Sequence, residues 1–100
     1  MTDYLFVFPV CEHCRAVKDY LASKNIPYEE RNIGIGAGKQ EWYGKIYPQV
    51  RGQIKKDPKY ENDPKNNNIP LMPILVRMND SKIEKLVQGE EDIKNLFEGK

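Results

Sequence analysis

The chain has 100 residues, a formal net charge of +1 and 31% charged residues. This length suits a single domain with one modest hydrophobic core, so we treat residues 1–100 as one domain. The mixed-sign charge argues against nucleic-acid binding and a polybasic membrane surface, and no apolar stretch approaches the ~20 residues of a membrane span. Residues 1–3 lack the basic flank and cleavage site of a signal peptide, so we expect a cytoplasmic protein.

The first 24 residues predict a buried strand, a turn and a helix. Residues 4–8 are apolar throughout, as in a strand covered on both faces. A helical spacing of apolar residues follows, and we place the first helix at residues 14–24, ended by Asn25 and Pro27. The turn between strand and helix holds Cys11-Glu12-His13-Cys14, with the only two cysteines of the sequence. In a reducing compartment such a pair is more often catalytic or metal-binding than structural.

The spacing of the two cysteines points to redox chemistry. Two thiols three positions apart can close a small disulfide ring and reopen it. Cys11 lies at the predicted helix N-terminus, where unpaired N–H groups and the helix dipole favour the reactive thiolate. We therefore predict that Cys11 is the nucleophile and that Cys14, one turn inside the helix, is the buried resolving thiol. A protonated His13 would stabilise the Cys11 thiolate, and the carboxylate of Glu12 would oppose it.

The middle of the chain predicts a second strand and an interrupted helix. Residues 28–33 complete a β-α-β unit whose short connections suit a parallel pair of strands. The glycine-rich residues 34–38 predict a flexible turn. Pro48 interrupts the helical stripe that follows, so either the helix kinks there or a short helix begins with Pro48 in its first turn. The stripe comprises Trp42, Tyr43, Ile46, Tyr47, Val50 and Ile54, and we expect the first four to form a buried face.

The last part of the chain predicts a loop, a hairpin and a helix. Residues 55–68 carry two Asp-Pro-Lys triplets and three asparagines, and predict a long exposed loop. Residues 73–78 and 82–88 predict two antiparallel strands joined by a turn at Asn79-Asp80. After Gly89, three acidic residues begin a last helix, as the helix dipole favours. The predicted order is β-α-β-α-β-β-α around a central four-stranded mixed sheet.

This order, with a CxxC motif at the end of the first strand, resembles the glutaredoxin branch of the thioredoxin fold. The resemblance is carried by residues 6–14, by residues 26–30, and by residues 72–76 together with 89–92. It implies an α/β protein with thiol–disulfide oxidoreductase activity. Protein disulfides or glutathione-mixed disulfides would be the substrates, with glutathione or a disulfide reductase as the electron donor. We expect a monomer.

The resemblance also implies a binding site next to the cysteines. The Met72–Pro73 bond would be cis, and the Met72 backbone would pair with a substrate peptide or with glutathione. Gly89, Glu90 and Glu91 would complete the glutathione site at the start of the last helix.

The chain departs from the glutaredoxin pattern at four places. Phe8 stands where many members have lysine, and Glu12-His13 replaces the typical Pro-Tyr. Gln88-Gly89 replaces a Gly-Gly pair, and Glu90 adds a charge where the γ-glutamyl carboxylate of glutathione would dock. We expect these changes to affect glutathione binding more than redox chemistry. Residues 34–69 are longer than the usual helix and loop, and we regard them as a candidate for partner specificity.

Two other functions compete with catalysis. Residues 26–32 are similar to a stretch of arsenate-reductase-like transcription regulators, with residues 39–54 as their helical insertion. In a regulator of that kind CxxC would be a redox switch, but Met72 stands where those proteins have arginine. Zinc usually takes four ligands, and two cysteines with His13 between them hardly converge on one ion, so we expect no metal. A metal site that bridges two chains, or an iron–sulfur cluster held between two glutaredoxin-like protomers with glutathione, is the alternative. The glycine-rich residues 34–39 lack the spacing of a phosphate-binding loop.

Overall fold

Four strands form one mixed sheet in the order β2-β1-β3-β4. The computed structural model describes residues 2–8, 11–65 and 69–99. β1 pairs in parallel with β2 and antiparallel with β3, and β3 pairs antiparallel with β4. The predicted parallel pair, the predicted hairpin and the predicted order of elements are therefore confirmed. The strands are β1 Thr2–Val7, β2 Glu29–Asn32, β3 Ile74–Asn79 and β4 Lys82–Gln88.

β1 lies in the middle of the hydrophobic core. Leu5, Phe6 and Val7 are all buried, although successive side chains of a strand point to opposite faces. Phe6 packs against Trp42, with the ring centroids 5.2 Å apart, so the helical segment that contains Trp42 covers one face. Leu5 and Val7 point to the other face. The apolar run of β1 therefore fits a strand that is covered on both sides.

The first helix, α1, spans Glu12–Ser23 and begins earlier than residues 14–24 predict. Cys11 is its N-cap residue, with extended backbone angles (φ −154°, ψ 110°) and a sulfur that accepts a hydrogen bond from the Cys14 N–H. An N-cap residue has non-helical backbone angles and caps the first turn, so α1 begins at the next residue, Glu12. The helix ends before Asn25, which adopts a left-handed conformation with φ 56°.

The segment of residues 36–50 is a continuous run of helical turns. It consists of α2 Gly36–Glu41, a π-helical turn Trp42–Ile46 and α3 Tyr47–Val50. Pro48 lies in the first turn of α3, which is the second of the two predicted alternatives. Proline has no N–H to donate, and it is tolerated best in the first turn of a helix. The flexible turn predicted at residues 34–38 is wrong in its second half, since the helix already begins at Gly36.

The buried face of this segment is narrower than predicted. Trp42, Ile46 and Val50 are buried and Tyr47 is half-buried. Tyr43 is 55% exposed, so its predicted burial is wrong. Trp42, Ile46 and Val50 recur every four positions and face the core. Tyr43 lies one position further along, on the exposed side of this face. Ile54 lies beyond the end of α3, so its place in the helical stripe is also wrong.

The predicted long loop is partly ordered. Its two ends run antiparallel, since the Asp57 N–H donates to the Ile69 carbonyl at 2.9 Å and the Leu71 N–H donates to the Lys55 carbonyl at 2.9 Å. A 3₁₀ turn at Pro58–Tyr60 follows Asp57, whose side chain accepts the Lys59 N–H. We call residues 55–65 and 69–71 the strap. Residues 66–68 of the predicted loop lie outside the described residues.

The C-terminal hairpin leads directly into the last helix. Its turn lies at Asp80-Ser81, one residue later than predicted, because Asn79 still pairs with Lys82 in the sheet. The last helix, α4, spans Glu90–Glu98 and packs against α1, where the Tyr20 hydroxyl donates to the Glu98 carboxylate. No helix within residues 2–8, 11–65 and 69–99 is both long and apolar enough to cross a membrane.

The close approach of the central helical segment to β2 gives a first prediction. A Cβ on Gly38 would overlap the backbone of Asn32, with the Asn32 nitrogen only 2.8 Å away. Because backbone atoms cannot move aside as a side-chain tip can, we expect Gly38→Ala to lower the free energy of unfolding by ~2 kcal/mol or more. Chemical denaturation measures this change.

Gly44→Ala is the matched control. Nothing lies within 4 Å of a Cβ at Gly44, which is also helical. Alanine there should be neutral or stabilising by up to ~1 kcal/mol. Equal effects of the two substitutions would contradict the packing of α2 on β2.

Candidate functional site

Cys11 and Cys14 are joined in a disulfide at the start of α1. Their Cα atoms are 5.2 Å apart, within the usual range for bonded cysteines. Cys11 is half-buried and faces a cleft, whereas Cys14 is 1% exposed and belongs to the hydrophobic core. The structure thus separates the two sulfurs by access, as predicted. An incoming molecule reaches Cys11 more readily than Cys14.

The backbone of the first helical turn is arranged around the Cys11 sulfur. The Cys14 N–H donates to the Cys11 Sγ at 3.2 Å, and the Arg15 N–H donates to the Cys11 carbonyl at 3.1 Å. An N–H aimed at a sulfur at a helix N-terminus favours the thiolate once the disulfide is reduced. This arrangement follows from the position of Cys11 as N-cap.

A cleft of about 790 Å³ opens in front of Cys11. The start of α1 forms one side and the strap forms the other. We call this space the strap cleft. The described residues that line it are Phe8, Cys11, Glu12, His13, Asp57, Pro58, Lys59, Tyr60, Ile69, Leu71 and Met72.

A second cleft of about 540 Å³ lies beside the first, at the N-terminal end of α4. We call it the helix cleft. His13, Leu71 and Met72 line both clefts, so the two spaces meet at these residues. The other described residues that line the helix cleft are Gln88, Gly89, Glu90, Glu91, Asp92 and Lys94.

The Met72–Pro73 peptide bond is cis, as the resemblance implies. Pro73 is fully buried, and its carbonyl accepts the Gly89 N–H at 2.9 Å, which ties the start of β3 to the end of β4. Gly89 has φ +92°, a conformation that favours glycine, and a Cβ there would lie 3.2 Å from a methyl carbon of Leu71. These contacts hold the backbone of Pro73 and Gly89 in place at the end of β4, where the helix cleft begins.

His13 belongs to a hydrogen-bonded chain of side chains at the start of α4. Its Nδ1 lies 2.9 Å from Glu90 Oε1, and the Lys94 Nζ donates to Glu90 Oε2 at 2.8 Å. The hydrogen bond from Lys94, and after it that with His13, lowers the pKa of Glu90 below its ordinary value of 4.5. The imidazole is therefore held at Glu90. Its predicted effect on the Cys11 thiolate stays a prediction.

Gln88 holds the strap in place. Its side chain is 5% exposed. Its Oε1 accepts the Lys55 N–H at 2.8 Å, and its Nε2 donates to the carbonyls of Lys55 at 3.0 Å and Leu71 at 3.3 Å. The side-chain amide thus bonds to both groups of one backbone residue, as a neighbouring strand would. Sequence reasoning missed this role, although glutamine in place of a family glycine was the available signal.

The structure brings the predicted site residues together in one region. Cys11, His13 and Met72 line the strap cleft, and Gly89, Glu90 and Glu91 line the helix cleft. Their functional roles stay predictions. The sequence indicated residues 34–69 only as a long candidate segment for partner specificity, and it did not point to the place of the strap in the cleft, to Leu71 or to Lys94. In the described part of the chain, no group of three or more histidine, cysteine, aspartate or glutamate side chains is placed to hold a metal ion.

A comparison with protein families matches the part of the chain that holds the two cysteines. Residues 4–52 match the family model described as Glutaredoxin, which covers both cysteines but not Met72, Pro73 or the start of α4. A crystal structure described as an ArsC family related protein from Bacteroides fragilis is 18% identical and covers 96% of this chain and 98% of that one, with a TM-score of 0.48. A comparison with curated proteins finds no match.

The lowered pKa of Glu90 gives a prediction for acid stability. A carboxyl group with a lowered pKa in the folded state adds stability above its unfolded pKa, near 4.5, and loses it as the pH falls through the lowered value. Glu90→Gln should therefore lose less stability than the unmodified chain between about pH 6 and about pH 3. Because these side chains are partly exposed, the difference should be ~1 kcal/mol or less.

Chemical denaturation at a series of pH values measures this difference. Glu91→Gln removes the same charge from the same helical turn and leaves the contacts with His13 and Lys94 intact. That control should lose stability as steeply as the unmodified chain. Parallel curves for all three proteins would contradict the arrangement of His13, Glu90 and Lys94.

Proposed function

We propose that this chain, which is a glutaredoxin-like protein of the thioredoxin-fold superfamily, reduces disulfides through a Cys11–Cys14 dithiol. The observation that carries the proposal is the disulfide at the N-terminus of α1, with Cys11 at a cleft and Cys14 in the core. An accessible thiol that attacks, next to a second thiol that resolves the mixed disulfide, suits thiol–disulfide exchange by a dithiol. The substrates in this proposal are protein disulfides or glutathione-mixed disulfides.

The first step is an attack by the Cys11 thiolate on one sulfur of the substrate disulfide. A bond forms between Cys11 and that sulfur, the substrate S–S bond breaks, and the second substrate sulfur leaves as a thiolate that takes a proton from water. The helix N-terminus and the Cys14 N–H support the thiolate before it reacts. Met72 lies in the same cleft, where its backbone would hold the substrate chain.

The second step releases the remaining half of the substrate. The Cys14 thiolate attacks the Cys11 sulfur, the Cys11–Cys14 bond forms, and the bond between Cys11 and the substrate breaks. The substrate has then gained two electrons and two protons, which the dithiol has lost. The disulfide-bonded chain corresponds to this oxidised end of the cycle.

An external thiol must return the protein to its reduced form. In the proposal two glutathione molecules do so and become glutathione disulfide, or the dithiol of a disulfide reductase does so instead. His13 would tune the dithiol, since a protonated imidazole near Cys11 favours the thiolate. A reducing, cytoplasmic location suits such a cycle and is part of the proposal.

Two cysteine variants test the proposal. Cys11→Ser should lose disulfide reduction, because it removes the nucleophile. Cys14→Ser should still attack but should accumulate a mixed disulfide with the substrate, because no second thiol resolves it. Turnover with a protein disulfide, and intact mass of the protein after one addition of substrate, measure both results.

Full turnover by Cys11→Ser would reject the assignment of the nucleophile. Absence of turnover in the unmodified chain, together with binding of a partner that depends on oxidation, would favour a redox switch over an enzyme.

A further inference from the structure

We infer that the strap cleft selects substrates, and that it receives a large apolar side chain next to the cysteine that Cys11 attacks. The preferred substrate is thus a polypeptide disulfide with apolar flanking residues, rather than a small polar disulfide such as that of glutathione. This inference rests on the proposed function, because it concerns the molecule that brings sulfur to Cys11.

The lining of the strap cleft is mainly apolar. Cys11 and the strap residues Pro58 and Tyr60 line the same space, so a side chain that fills it next to Cys11 also contacts the strap. Filling the space with an apolar side chain removes apolar surface from water on both partners, which a polar disulfide does to a smaller extent. The apolar residues of the lining are Phe8, Pro58, Tyr60, Ile69, Leu71 and Met72.

The opposite wall is held in place before any substrate arrives. Gln88 bonds to the backbone of Lys55 and Leu71, and Lys55 and Leu71 bond to each other. Asp57 begins the 3₁₀ turn that carries Tyr60. A wall that is already ordered costs less entropy when a ligand binds, so contact with it contributes more to affinity.

The charges of the helix cleft argue against a carboxylate-rich ligand. Glu90, Glu91 and Asp92 line it. Its lysine, Lys94, is bonded to Glu90, and Lys55 lies 3.9 Å from the carboxylate of Asp92. Glutathione, placed as the resemblance implies, would bring its γ-glutamyl carboxylate next to these acids, whereas the backbone of a polypeptide on either side of its cysteine is uncharged. Like charges at such a contact weaken binding.

A peptide panel tests the inference. Each peptide carries one cysteine blocked as a disulfide with 2-mercaptoethanol, and this cysteine is flanked on both sides by leucine or by serine. The second-order rate constant for reduction by the reduced protein should be about tenfold higher for the leucine peptide, as burial of one apolar side chain implies. Bis(2-hydroxyethyl) disulfide, which has no side chains, tests the redox reaction alone.

Substitutions in the wall locate the preference. Tyr60→Ser should lower the ratio of the leucine rate to the serine rate to about twofold or less, by loss of apolar surface. Since the ratio compares two substrates on one protein, a general change in Cys11 reactivity cancels. Gln88→Ala should lower the same ratio by releasing the strap. Tyr43→Ser, an exposed tyrosine outside both clefts, is the matched control and should keep the ratio of the unmodified chain.

The outcomes separate the inference from the proposed function. Equal rates for the two peptides, or a ratio that Tyr60→Ser does not lower, would overturn the inference while reduction of bis(2-hydroxyethyl) disulfide upholds the redox activity. Failure to reduce any of the three disulfides would overturn both.

Discussion

The burial of β1 on both faces is the constraint on which the rest of the site depends. Leu5, Phe6 and Val7 fill both sides of the sheet, and a shift of the strand by one residue would break the packing of Phe6 against Trp42. α1 follows this strand along the chain, with Cys11 as its N-cap. One sulfur faces a cleft and the other, one turn later, enters the core. The unequal access of the two cysteines thus follows from ordinary packing of the sheet.

A second level of organisation comes from the other end of the sheet. Gln88 closes β4 and bonds to the strap, and Gly89 bonds to Pro73 and allows α4 to begin. The position of the strap and the connection between β3 and the end of β4 therefore depend on two consecutive residues, Gln88 and Gly89. Gln88 and Gly89 each hydrogen-bond to a specific backbone partner, which the residues of a flexible connection do not. We regard this junction as the feature that distinguishes the site from a bare CxxC motif.

The sequence predicted what depends on local pattern and on chain order. An apolar run, a CxxC turn and an acidic helix start are local signals, and they indicated β1, the redox pair and the last helix. It did not predict the exposure of Tyr43, because a π turn changes which side chains of a helical stripe reach the core. Nor did it predict the strap, whose two ends bond to each other and to the side chain of Gln88, 33 residues from Lys55. Contacts at that separation leave no periodic trace in a single sequence.

The most direct test of the account is a redox titration of the purified protein in glutathione buffers of known ratio, with thiols alkylated and intact mass measured at each point. The account predicts conversion of the dithiol to an intramolecular disulfide between Cys11 and Cys14, at a potential between about −270 mV, the value of thioredoxin, and about −180 mV, the value of protein disulfide isomerase. Thiols that stay reduced at every ratio, or that form disulfides only between chains, would contradict it.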